Sequence, residues 1–135
     1  MEIRDTWENF AFTAYIDTAC LTGTLFPYAD STTPNEAGFV WANVTRETRA
    51  LMLESFRALV ADCEAAGVDP RDLDPDDFGR DAWLTREGHG CGFWDGDWPE
   101  PAASILAEVA ESAGRGGCFY ISETDPSELE WDPAG

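Results

Sequence analysis

Apolar residues recur at helical spacing in three stretches of the chain. From Asp5 to about Cys20, Phe12, Tyr15, Ile16 and Ala19 share one side of a helix, and Asp5 with Glu8 three residues on has the spacing of a capping box. Thr45 is placed to cap a second helix, whose stripe of Met52, Phe56, Leu59, Val60 and Cys63 runs to Gly67 at the left-handed C-terminal position. Pro99 or Pro101 opens a third, carrying Ile105, Leu106, Val109 and Ala113, and Gly114 and Gly116 end it.

Between these helices the pattern changes. Residues 22–38, rich in Thr, Pro, Gly and Asn and broken by Pro27 and Pro34, read as a long loop. Asp69–Asp81 holds two prolines and six aspartates and reads as a solvated acidic connection without a long regular element. Trp83–Arg86 and Cys91–Trp94 flank Glu-Gly-His-Gly, the pattern of a short aromatic hairpin, and the β-prone run Cys118–Ser122 is expected to join it. The fold predicted is α+β, with about three helices packed on one face of a small three-stranded antiparallel sheet. Residues 1–122 would form one domain. Residues 123–135, with five acids and only Leu129 and Trp131 as anchors, would be a mobile or loosely docked acidic tail.

Composition narrows the function classes. The 135 residues include 44% hydrophobic positions, six Trp and eight Phe, enough for a packed core and against wholesale disorder. The 27 Asp and Glu face only 8 basic residues, all Arg, for a formal net charge of −19. Nucleic-acid backbones and anionic membranes repel such a surface, so direct binding to either is disfavoured and a basic protein surface is favoured. Adaptation to high salt and GC-rich coding are bland sources of the same composition, but neither removes the field. The four Cys, at 20, 63, 91 and 118, are widely spaced and read as buried thiols. The start Met-Glu-Ile-Arg-Asp has no basic stretch followed by an apolar run, which predicts a cytoplasmic protein, a monomer or small homo-oligomer.

The run Asp81-Ala-Trp-Leu-Thr-Arg-Glu-Gly-His-Gly-Cys-Gly-Phe-Trp-Asp95 resembles a hallmark W-L-T-R-x-G-H-G-x-G-F-W-D segment of a widespread group of small bacteriophage and prophage proteins. Weaker likeness extends to Phe12–Ala19, to Val44–Thr48 with Ala61–Cys63, and to the closing β run, covering most of residues 12–122. Where members of that group often continue with Arg-Gly, this chain has Gly96-Asp97-Trp98, and Cys91 stands where a small residue such as Ala is usual. The resemblance implies phage kinship and names no reaction.

Candidate chemistry was weighed residue by residue. His89, between two glycines and near Cys91, suggests a nucleophilic pair on paper, but turn hydrogen bonding accounts for it more simply. Asp72, Asp74, Asp76 and Asp77, or Asp95, Asp97 and Glu100, could hold Ca²⁺ or Mg²⁺ weakly; the first set fails the EF-hand template at its sixth and twelfth positions, where Asp77 and Trp83 stand. Zinc lacks ligands, and Gly88–Gly92 lacks the Lys and the following helix of a phosphate loop. No catalytic set, cofactor or metal is therefore expected. The expected site is a phosphate-like face of Asp69, Asp72, Asp74, Asp76, Asp77, Asp95, Asp97 and Glu100 with Trp94 or Trp98 as anchor, which would occupy the DNA-binding site of a basic host defence protein, a CRISPR effector or restriction system, in the host cytoplasm. The alternatives are a phage accessory or structural protein binding through its aromatic hairpin and a weak metal-dependent enzyme.

Overall fold

The computed structural model describes residues 3–26, 32–88, 92–93, 98–114 and 116–133. Helix α1 spans Thr6–Thr22, with the Asp5 carboxylate accepting the Glu8 amide at 2.9 Å. Glu8 does not complete the reciprocal box; its carboxylate takes the Arg4 amide and forks with Arg57 of α2 at 2.5 and 2.9 Å, joining two helices through a nearly buried ion pair. Helix α2, Arg46–Ala65, is capped by Thr45 and ends before Gly67, and its predicted stripe faces the core. Helix α4, Ala102–Ser112, lies where the sequence places it, although Ala103, Leu106, Ala107 and Ala110 form its buried stripe while Ile105 and Val109 sit at the margin.

The acidic connection is a correction. Pro70 opens a 3₁₀ turn, Pro70–Asp72, and Pro75 opens helix α3, Pro75–Glu87, each preceded by an aspartate that caps it. Proline breaks a helix in its interior, but at the first position its missing N–H is not needed and its φ is already helical, so each Asp-Pro pair here starts a helix. Helix α3 continues through Trp83–Arg86 and closes on Gly88 at φ +68°. The first arm of the expected hairpin is therefore the last turn of a helix. Of the second arm only Gly92 and Phe93 lie among the described residues, and neither is in a strand.

The sheet also differs from expectation. Strand β2, Cys118–Ile121, pairs antiparallel with β3, Leu129–Asp132, in the register Phe119 to Trp131 and Ile121 to Leu129. These are its only two antiparallel strands among the described residues; the third, β1, is the two-residue segment Leu25–Phe26, which lies parallel to β2 inside the stretch expected as loop. The α+β class stands, but among the described residues there are four α-helices instead of about three and no three-stranded antiparallel sheet. The stretch expected to trail as a tail supplies β3: Leu129 is fully buried, its carbonyl accepts the Thr45 amide at 3.0 Å, and the Trp131 indole donates to the Gly116 carbonyl at 2.6 Å.

Helices α1 and α3 cross in close contact because Gly79 of α3 lies against the α1 backbone, where any β-carbon would run into the Ala11 carbonyl oxygen. Around that crossing the aromatic rings interlock. Tyr15 lies 5.0 Å from Phe56 and meets Trp83 edge-on at 5.4 Å, and Phe78 touches Phe56 at 6.0 Å and Phe93 at 5.6 Å. Each such ring is worth about 1.5–3 kcal/mol of burial, so the cluster contributes substantially to the fold's stability.

Candidate functional site

The five aspartates at 69, 72, 74, 76 and 77 share the corner formed by the 3₁₀ turn and the first turn of α3, and all are exposed. The corner is anchored to the start of α1. Arg71 reaches the Asp5 carboxylate at 2.7 Å and stacks 5.2 Å over the Trp7 ring, whose indole donates to the Leu73 carbonyl at 3.0 Å. The Glu8 amide, and after it Arg71, holds Asp5 below the ordinary carboxylate range.

The five carboxylates are not equivalent. Asp69 accepts the Arg71 amide and Asp74 the Asp77 amide, both at 3.0 Å, so these two act as caps. Asp77 pairs with Arg80 at 3.3 Å. The Asp72 and Asp76 side chains engage no other described residue, and Asp76 shares a shallow groove between α1 and α3 with Phe10, Asp17, Leu21 and Arg80. Phe10 is 51% and Leu21 54% exposed, large apolar side chains left open beside acids.

The other expected site residues are less engaged. Trp98 does lie near Asp74, Asp77 and Arg80. Its ring is half-buried edge-on against Phe93 at 5.5 Å, and its indole donates inward at 2.6 Å to Asp81, a buried carboxylate that also takes Arg80 Nε at 3.0 Å. Glu100 stands at the head of α4, below its ordinary range because the Ser104 hydroxyl and amide bond it, and it lines neither groove at the corner. Trp94, Asp95 and Asp97, like His89 and Cys91, lie outside the described residues.

Phe10, Asp17 and Leu21 went unnoticed in the sequence. Their signal was faint: they lie off the buried stripe of α1, and only the packing of α3 beside that face brings them to Asp76. Acid is also present elsewhere. Glu130, Asp132 and Glu123 surround Tyr120, whose phenol is raised first by burial and then by those charges, and Asp62 and Glu108 border a cleft between α2 and α4. The corner sets the uncommitted Asp76 of α3 against the exposed Phe10 and Leu21 of α1.

The described part of the Asp81–Asp95 run has a structural use. Trp83 is fully buried, the Phe93 amide bonds the buried Thr85 hydroxyl at 3.1 Å, and Arg86 binds the Tyr15 and Ser55 hydroxyls and the Gly114 carbonyl at 2.9–3.0 Å. These contacts staple the end of α3 to α1, α2 and the end of α4. Burial pushes the thiols of Cys20 and Cys63 up to about 12, which leaves them unreactive as nucleophiles, and Cys118 is half-buried. Among the described residues no group of three or more His, Cys, Asp or Glu side chains is placed to hold a metal ion, and no helix is long and apolar enough to cross a membrane. No family model, curated protein or solved structure matches the chain.

Proposed function

We propose that this chain is a non-enzymatic inhibitor that occupies a basic, nucleic-acid-binding protein surface, its carboxylates standing where phosphates would. The observation that carries the reading is the helix-held corner at Asp69–Asp77, where Asp72 and Asp76 are uncommitted and Asp76 shares a groove with exposed Phe10 and Leu21. A surface with a net charge of −19 steers toward cationic clefts and away from nucleic acid, and an apolar anchor amid the acids supplies the desolvated contact that charge alone does not. Phe10 and Leu21, rather than Trp98, take the anchor role, because the Trp98 indole is committed to Asp81. The likeness of Asp81–Asp95 to phage proteins directs the proposal to a host defence protein that grips DNA, a CRISPR effector or restriction component, met in the host cytoplasm.

The test is affinity capture from a bacterial lysate followed by competition with duplex DNA and a salt titration. The expected result is a DNA-binding protein displaced by DNA, with affinity falling steeply between 50 and 200 mM salt, conditions chosen because screening tightens to about 8 Å near the upper end. The Asp72→Asn, Asp76→Asn double variant should weaken capture several-fold. A partner that ignores DNA, salt and both substitutions would overturn the proposal.

A further inference from the structure

A second groove lies on the far side of α1, between it and the start of α2, and its chemistry is the reverse of the rest of the surface. Its apolar walls include Phe12, Ile16, Trp41 and Leu53, and its rim carries Arg46 and Arg49. In a chain with 27 acids, no Asp or Glu among the described residues lines it. Its volume is about 250 Å³. Against the ~30 Å³ share of a liquid water molecule, that admits a ring with a short side chain.

Among the described arginines, these two and Arg4 make no side-chain hydrogen bond or ion pair with a described residue, and of the three only Arg46 and Arg49 line the groove. Arg57 is committed to Glu8, Arg71 to Asp5, Arg80 to Asp77 and Asp81, and Arg86 to Tyr15 and Ser55. Arg46 and Arg49 make no side-chain hydrogen bond or ion pair with any described residue, and as neighbours three apart on α2 they share one face. Between them Glu47 turns elsewhere, close enough to Glu128 that its charge helps raise that carboxyl. Helix stability does not select Arg46, since a cation at a helix N-terminus opposes the dipole. Trp41 adds an indole left 42% exposed on the wall.

We propose that this groove binds a small organic monocarboxylate with an aromatic or short aliphatic body. The body fills the apolar trough and the carboxylate takes the planar, multiply donating guanidinium of one or both arginines, a pairing stronger than a neutral hydrogen bond. The site is distinct from the acidic corner and stands or falls separately from it.

The probes are 3-phenylpropionate and its neutral amide, titrated into the intact protein by calorimetry and followed by NMR shifts of the Trp41 indole. The expected outcome is saturable binding of the acid, at least about tenfold weaker binding of the amide, and a similar loss in the Arg46→Gln, Arg49→Gln double variant with its melting temperature unchanged; tenfold corresponds to ~1.4 kcal/mol. Because neither side chain supports the fold, lost binding in that variant reads directly on the site. Equal affinity for acid and amide, indifference to both substitutions, or binding only of an acidic peptide ending in Phe would each overturn the proposal.

Discussion

Replacing Gly79 with Ala reverses the usual sign of a helix substitution. In a free helix the change gains about 1 kcal/mol, because glycine is the more flexible residue in the unfolded chain. Gly79 sits within α3, so that gain applies, but its position against the Ala11 carbonyl oxygen leaves no space for a methyl group. The obstacle is backbone, which cannot rotate aside, so α1 and α3 must separate along their crossing. That loosens the Tyr15–Trp83 and Trp7–Phe78 ring contacts that straddle it. Overpacking of this kind costs roughly 1–3 kcal/mol before ring contacts are lost, and lost contacts between aromatic pairs add about 0.5–1.5 kcal/mol each. Set against the propensity gain, the expected net loss is about 1–5 kcal/mol. Urea unfolding followed by tryptophan emission would show it as a lowered midpoint at constant slope. Gly67→Ala is the control: open space surrounds that position, so only its φ of +100° resists a side chain, at about 1–2 kcal/mol. Adding Ala11→Gly should not rescue Gly79→Ala, since the colliding atom is the carbonyl oxygen. A neutral or more stable Gly79→Ala protein would refute the close crossing and with it the shape of the α1–α3 groove.

Glu8→Gln should cost about 1–3 kcal/mol at pH 7, since it removes the carboxylate that the half-buried Arg57 guanidinium forks with. Arg57 holds the Glu8 carboxyl below its ordinary value of 4.5, so the wild-type advantage over Glu8→Gln is full above that pH and disappears as pH falls through the lower folded value; denaturation of both proteins between pH 3 and 7 should show the gap closing only on the acid side. Asp81→Asn should lose about 1–3 kcal/mol in the same assay by weakening the Trp98 and Arg80 hydrogen bonds in a buried setting, and an unchanged midpoint would show that the carboxylate is not their anchor. Cys20 and Cys63 should resist iodoacetamide at pH 8 in the folded protein and label on addition of denaturant, as read by peptide mass mapping; rapid labelling of either would contradict its burial.

Three helices and the β run at Cys118 were legible because each depends on local facts, a stripe and its caps. Helix α3 is hard to see in the sequence although its start signals are present: an Asp-Pro pair reads equally as a breaker or as a helix start, and the aromatic content of Trp83–Arg86 suggests a strand where its place after Phe78 and Ala82 continues a helical face. The acidic corner was legible as composition. Its neighbours Phe10, Asp17 and Leu21 were not, because contact across α1 and α3 depends on the closeness that Gly79 permits.

By itself the sequence determined the negative field, the apolar stripes of α1 and α2 and the caps that end them, since each is a sum or a short-range periodicity along the chain. Tertiary structure alone decided which arginines are consumed by ion pairs and which two line the groove of α1 and α2, and which carboxylates stand beside exposed apolar surface. It also decided that Leu129 and Trp131 close a sheet against β2. These depend on distances between residues tens of positions apart, and packing sets those distances only after the local elements have formed.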